Sequence, residues 1–219
     1  MPVKLAVFDC DGTLSDGQAG VVNAMDAAFA AASLSAPDHH EVRRIVGLSL
    51  PQAIRHLAPE APPEQRAAAV EAYKASFRAA REDGSLREPL YEGIADLLRR
   101  LHAEGWTLGV ATGKSDRGLE ALLAANDLMN LFATLHTADR HPSKPAPAML
   151  EAAMTDTLAE PQDTVMIGDT VYDMEMAANA GVRAIGVVWG YHEPDELRRA
   201  GAFAVASTTD ELGSLLYDE

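Results

Sequence analysis

Short apolar, β-branched runs recur along this chain, and each stops at small or polar residues. Residues 3–8 run into Asp9-Cys10-Asp11-Gly12-Thr13, and residues 107–111 into Thr112-Gly113-Lys114-Ser115. Residues 164–167 run into Gly168-Asp169-Thr170, and residues 183–188 into Trp189-Gly190-Tyr191. A weaker run, 202–206, ends at Ser207-Thr208-Thr209-Asp210. Apolar runs this short, bounded by turn residues, read as buried strands. Between them, residues 94–103, 119–125, 146–154 and 171–180 carry apolar side chains at helical spacing. Gly105 and Gly181 stand where helices should stop, and Pro145 near where one should start. Strands alternating with helices specify an α/β chain with a parallel sheet covered on both faces. On such sheets ligands bind beyond the C-terminal strand ends, where the polar clusters stand.

One segment breaks the alternation. Between residues 15 and 88 no run reads as a strand, and helical patterns cover 19–32, 38–46, 51–57 and 64–81. Ser15-Asp16-Gly17 opens the segment, and Asp83-Gly84-Ser85 with Pro89 closes it. The expected organisation is an all-helical insert, 15–88, in a sheet domain built from 1–14 and 89–219. A chain of 219 residues with 47% hydrophobic content can bury a core of this kind. The net charge of −15 is unevenly distributed. The insert holds 10 acidic and 8 basic residues, hence −2, which leaves −13 to the sheet domain. Such acidity opposes a sequence-independent grip on nucleic acid and docking on an anionic membrane. No apolar run reaches the ~20 residues of a membrane span, and the apolar start is too short for a signal peptide. Cys10 is the single cysteine, which excludes an internal disulfide and a cysteine-based zinc site. A cytoplasmic enzyme or binding protein is the expectation.

Four features stand at successive strand ends or helix starts. In extended chain, residues i and i+2 point the same way, so Asp9 and Asp11 can face one pocket. Thr112-Gly113, Lys144-Pro145 and Asp169 with Asp173 supply the others. If the strands are neighbours, Asp9, Asp11, Asp169 and Asp173 converge. Four carboxylates together raise their own pKa values unless a cation offsets them. A hard divalent ion with oxygen ligands does so, and beside a phosphate Mg²⁺ is the usual choice. Lys144 adds a positive charge, while Thr112 and the Gly113 N–H can donate to phosphate oxygens. The inventory matches phosphoryl transfer.

FDCDGTLSD, VATGKS, KPAP and VMIGDTVYDM, in this order and with a helical insert after the first, resemble the motifs of haloacid dehalogenase (HAD) superfamily phosphatases. The likeness is to the branch that includes phosphoglycolate phosphatases. The resemblance implies a Rossmann-like core under a helical cap. It implies Asp9 as the nucleophile that becomes an aspartyl-phosphate, and Asp11 as the acid and base. Asp9, Asp169 and the Asp11 carbonyl would ligate Mg²⁺, with Asp173 ligating or supporting it. Thr112 and Lys144 would hold the phosphoryl oxygens. The substrate would be a small phosphorylated metabolite. Phosphoglycolate is the leading choice, read by Arg43 or Arg44 near the loop Gly47-Leu48-Ser49-Leu50-Pro51; nucleotides, sugar phosphates and pyrophosphate are alternatives. Hinges are expected at 14–16 and 82–89.

Rival chemistries leave marks that this chain lacks. Gly109 to Ser115 looks like a P-loop, but three residues separate its glycines where four are needed, and Leu108 stands in the glycine position. Lys114 is therefore expected to tolerate replacement better than Lys144. Dehalogenases of the superfamily lack the second aspartate, which is Asp11 here. Phosphonate hydrolases use a cap lysine, and the insert has only Lys74, late in a helix. Phosphomutases carry a histidine shortly after the first motif and an arginine after Gly-x-Ser, where this chain has Val21 or a neighbour and Leu50. A non-catalytic binding protein on the same scaffold should have lost one of Asp9, Asp11, Lys144 or Asp169. Elsewhere, Asp16 should cap the first insert helix, Ser115 or Asp116 the helix after Gly113, and Cys10 should point into the core.

Overall fold

The computed structural model describes residues 3–217. Strand β1 (Leu5–Phe8) is followed by four helices: α1 (Gln18–Ala31), α2 (His39–Arg44), α3 (Leu50–Leu57) and α4 (Pro63–Glu82). Alternation then begins with α5 (Ile94–Ala103), β2 (Thr107–Thr112), α6 (Asp116–Ala125), β3 (Phe132–Thr137) and α7 (Ala148–Thr157). It ends with β4 (Thr164–Gly168), α8 (Val171–Ala180), β5 (Arg183–Val187), α9 (Pro194–Arg199), β6 (Ala204–Ala206) and α10 (Thr209–Tyr217).

The six strands form one parallel sheet in the order β3-β2-β1-β4-β5-β6. This is the expected Rossmann-like α/β core. The chain winds outward from β1 through β2 to β3, then restarts on the other side of β1 with β4. Phe8 lies in register with Val110 of β2 and Ile167 of β4. The residues that follow these three strands therefore emerge side by side at the switch in winding direction, where α/β sheets bind ligands.

Alternation along β1 divides the core into two layers. Ala6 and Phe8 join Leu98, Leu108, Leu119 and Leu212 on one face. Leu5 and Val7 join Met149, Met166, Met174 and Ala177 on the other. Both faces are fully buried, which explains why the strands read as continuous apolar runs. Helix α8 stops at Gly181, whose φ of +69° and N–H bonds to the Ala177 and Ala178 carbonyls form the expected left-handed cap.

Helices α1–α4 pack around their own apolar cluster, with Met25, Phe29, Val42 and Ile54 buried at its centre. The chain leaves and re-enters the sheet region side by side. Asp16 N–H donates to the Pro89 carbonyl at 2.8 Å, and Tyr91 N–H to the Leu14 carbonyl at 3.1 Å. Asp16 accepts the Gln18 N–H at the start of α1, 3.2 Å away.

Three elements carry weaker sequence signals than the rest. Strand β3 is an edge strand whose Thr134, His136 and Thr137 interrupt the apolar run. Helices α9 and α10 span six and nine residues, so the apolar period has few repeats in which to register. Their starts are nonetheless encoded. Glu193 and Glu196 form a reciprocal capping box at α9, and Thr208 accepts the Glu211 N–H at α10.

Candidate active site

Asp9 follows β1 directly and is fully buried. Asp169 follows β4, and Asp173 lies in the first turn of α8; both are buried. One carboxylate oxygen from each of Asp9, Asp169 and Asp173 falls within 4.8 Å of the others. Lys144, also buried, puts its ammonium 2.8 Å from Asp9 Oδ1 and 2.6 Å from Asp173 Oδ1.

The three carboxylates differ in how they are satisfied. Asp173 Oδ2 accepts the Thr170 N–H at 3.0 Å and its hydroxyl at 2.7 Å, while Oδ1 faces Lys144. Asp169 Oδ1 accepts the Thr13 hydroxyl at 2.8 Å, and Oδ2 the Tyr191 N–H at 2.9 Å. Neither oxygen of Asp9 accepts a hydrogen bond of good geometry, although the Lys144 ammonium lies close to one. Two glycines leave the space that Asp169 occupies. A Cβ on Gly12, at φ +92°, would fall 2.2 Å from Asp169 Oδ2, and one on Gly190 equally close.

Burial and neighbouring charge set the protonation of this group. Burial, then the Asp173 charge, push the Asp9 carboxyl up to about 6, with Lys144 pulling the other way. Asp169 is driven well above the ordinary carboxylate range by burial, then by Asp9 and Asp173. Burial alone would lower Lys144, but Asp173 and Asp9 outweigh it and hold the ammonium charged. Oxygen-only donors, crowded and short of positive charge, are the environment a hard divalent cation suits.

Asp11 does not join this group. The expected convergence of four side chains is corrected to three. The Asp11 carboxylate turns instead to Lys114, 2.8 Å from its ammonium, which also contacts Glu88 at 2.6 Å. Burial opposes the charge on Lys114, and the Asp11 and Glu88 carboxylates more than restore it. Glu88 in turn meets Arg81 at 3.5 Å. Lys114 and Glu88 lie at this site without a role expected for either of them there. The TGKS turn put Lys114 beside the β2 end, but nothing local to Glu88 announces its place.

Thr112 closes β2, buried, with its hydroxyl accepting the Lys114 N–H at 3.2 Å. Gly113 meets the insert at close quarters: a Cβ there would lie 2.6 Å from the Gly47 and Leu48 carbonyl oxygens. The adjacent Ser49 N–H donates to Ser143 Oγ at 2.7 Å. The loop 47–51 thus rests on the sheet domain beside Thr112 and Lys144. Ser115 caps α6 by accepting the Gly118 N–H, and Cys10 points into the core.

Asp9, Asp11, Thr112, Gly113 and Lys114 line a cavity of about 510 Å³ roofed by the insert. Arg43 and Arg44 do not line it, a second correction. Arg44 forms a two-pronged pair with Glu196, at 2.7 and 2.8 Å, on the far side of the insert–sheet junction. Its carbonyl accepts from the His192 ring at 2.9 Å. The basic residues at the cavity are Lys74, Arg78, Arg81, Lys114 and Arg117.

The haloacid dehalogenase-like hydrolase family matches residues 6–187, which takes in Asp9, Asp11, Thr112, Lys144, Asp169 and Asp173. The chain belongs to this family. Among relatives, a probable phosphatase, IndB, of Dickeya dadantii is 38% identical, with 95% of this chain and 91% of that protein aligned. A phosphoglycolate phosphatase of Vibrio vulnificus is 27% identical over 96% of this chain and 94% of its own length. Among solved structures, a predicted phosphatase from Clostridium acetobutylicum superposes with a TM-score of 0.88 at 25% identity, covering all of both chains. The expectation of a HAD hydrolase of phosphatase type stands on these likenesses. Among the described residues no helix is long and apolar enough to cross a membrane.

Proposed function

We propose that this HAD hydrolase cleaves small phosphomonoesters with Mg²⁺, through a phosphoryl-aspartate formed on Asp9. The observation that carries the reading is the Asp9 carboxylate. It is buried and free of hydrogen bonds, beside two further carboxylates and one ammonium. Asp9, Asp169 and the Asp11 carbonyl would hold the ion. Asp173 would support it while positioning Lys144, because both of its oxygens are already engaged. When bound, Mg²⁺ offsets the carboxylate charge and polarises the phosphoryl oxygens.

The residues divide the work as follows. The Lys144 ammonium, the Thr112 hydroxyl and the Gly113 N–H hold the phosphoryl oxygens. A carboxylate oxygen of Asp9 attacks phosphorus, and the bond to the alcohol oxygen breaks as Asp11 protonates that oxygen. Water then attacks phosphorus and gives a proton to Asp11, and the Asp9–phosphorus bond breaks to release phosphate. Residues 15–88 act as a cap that excludes water from the core of 1–14 and 89–219, hinged at 14–16 and 82–89. The relatives named as phosphatases support this chemistry. Phosphoglycolate remains a substrate to test, although neither Arg43 nor Arg44 is at hand to read its carboxylate.

Phosphate release from a panel of phosphomonoesters, with Mg²⁺ and with EDTA, tests the proposal. Turnover that EDTA abolishes is expected. Absence of turnover, or turnover indifferent to EDTA, would refute it.

A further inference from the structure

We propose that the alcohol leaving group accepted here carries a compact apolar ring, larger than a two-carbon acid and poorer in hydroxyls than a sugar. This rests on Asp9 being the phosphoryl acceptor. The cavity that starts at Asp9 and Thr112 holds about 510 Å³. Glycolate has five non-hydrogen atoms, and even at one water volume per atom it fills under ~150 Å³. The phosphoryl group adds four atoms, so phosphoglycolate would fill about half the cavity and leave roughly 240 Å³ empty beyond it.

Beyond the phosphoryl end the wall is apolar. Met25, Val42, Ile45, Leu48, Tyr73 and Phe77 line it. The same side chains belong to the insert's own hydrophobic cluster, so the cavity opens into that cluster. The Tyr73 and Phe77 rings lie 5.0 Å apart at 35°. The Lys114 ammonium stands 5.9 Å from the Phe77 ring centre, joining the aromatic wall to the polar end.

Several polar groups along this wall are already engaged, which leaves the Ser49 and Tyr73 hydroxyls as its few neutral partners. Ser115 Oγ caps α6, the Ser49 N–H is given to Ser143, and Asp139 accepts the Asp116 N–H. A polyol would bury hydroxyls with few partners. A carboxylate would need a free cation. Lys114 is held by Asp11 and Glu88, and Arg81 by Glu88; Arg78, Arg117 and Lys74 reach the cavity from exposed positions, where solvent leaves a pair with a carboxylate worth little. A ring avoids both penalties and gains contact with Tyr73 and Phe77.

The test compares kcat/KM, with Mg²⁺, for ethyl phosphate, phosphoglycolate and 2-phenylethyl phosphate. Ethyl and 2-phenylethyl esters both release a primary alkoxide, so their ratio reads the cavity and not the bond broken. The 2-phenylethyl ester should lead ethyl phosphate on the order of 30-fold, the equivalent of ~2 kcal/mol for one buried aromatic group, and should also lead phosphoglycolate. Phe77→Leu should lower the 2-phenylethyl to ethyl ratio at least about threefold; a loss of folded protein cancels in that ratio. A ratio near one, or a preference for phosphoglycolate, overturns the ring inference and leaves Asp9's role standing. Hydrolysis of none of the three overturns the reading of Asp9 and this inference together.

Discussion

Lys144 and Lys114 both sit among carboxylates at the C-terminal edge of the sheet, yet the two clusters are charged differently. Lys144 is fully buried with Asp9 and Asp173, and Asp169 adjoins them. When ionised, three carboxylates face one ammonium, and two negative charges are left over. Lys114 meets Asp11 and Glu88, and Arg81 reaches Glu88 from the other side, so two carboxylates face two cations. The first cluster is incomplete and needs a divalent cation to be stable when ionised. The second is complete as it stands. Burial of a lysine among carboxylates therefore does not by itself set the chemistry; the charge deficit separates a candidate metal site from an ion-pair network.

The largest effect should come from the unsatisfied member of the first cluster. Asp9→Asn is expected to reduce kcat at least about 1000-fold, as loss of a nucleophile does. Its melting temperature without metal should hold or rise, because the change removes a buried charge that its surroundings disfavour. A phosphate-release assay beside a thermal melt reads both. Near-normal turnover would remove Asp9 from the nucleophile role.

Next comes the pair of lysines themselves. Lys144→Met strands two buried carboxylates and should cost about 3–5 kcal/mol in urea melts. Lys114→Met should cost roughly 1–3 kcal/mol, since the Lys114 and Asp11 side chains keep 8% and 14% of their solvent exposure. Adding Asp173→Asn to Lys144→Met should restore part of the loss. Equal losses for the two lysines, or no recovery, would erase the distinction between the clusters.

Metal and pH sharpen the same contrast. At 100 times its Kd, Mg²⁺ should stabilise the protein by ~2.7 kcal/mol. That gain should vanish in Asp169→Asn and persist in Lys114→Met. Asp9 moves from 3.8 when unfolded to about 6 when folded. Across that window the folded state binds more protons at Asp9 than the unfolded state, so the Asp9 contribution to metal-free stability falls as pH rises. Asp169, also raised, acts in the same direction. Mg²⁺ displaces those protons, so its stabilising effect should grow with pH over the same interval. Urea melts in EDTA and in Mg²⁺ across the window check the sign. A pH slope in EDTA no different from that of Asp9→Asn would contradict the raised Asp9.

Much of the incomplete cluster is legible in the chain because each member terminates or follows a strand. Asp9, Thr112 and Asp169 sit directly at apolar runs whose burial is encoded locally, and parallel pairing brings such ends together. Asp173 follows by helical spacing from Asp169. The complete cluster is another matter. Glu88 lies at the return of the insert, and its contact with Lys114 exists only once the insert is folded over β2. Arg44 fails for the same reason. Its partner Glu196 is 152 residues away in α9, a helix too short to stand out. The Asp11 side chain departs from the expected direction because extended-chain alternation ends at Asp9. Gly12 takes φ +92°, and the Gly12 N–H turns back to the Ser15 carbonyl. Edge strand β3 shows the converse limit, since half-covered strands carry mixed residues.

The smallest predicted effect tests whether the second cluster is as self-contained as its charges imply. Glu88→Gln takes one negative charge from Lys114 and from Arg81, and leaves Asp11 as the lysine's single carboxylate partner. Because Arg81 and the cluster keep some access to solvent, stability should fall by only about 1 kcal/mol. Lys114 should then hold Asp11 more tightly, and kcat should drop a few-fold while Mg²⁺ affinity stays constant. Titration of Mg²⁺ against the thermal melt, run beside kcat, separates the two clusters in one variant. A change in Mg²⁺ affinity as large as that of Asp169→Asn would mean that Lys114 and Lys144 belong to a single electrostatic unit.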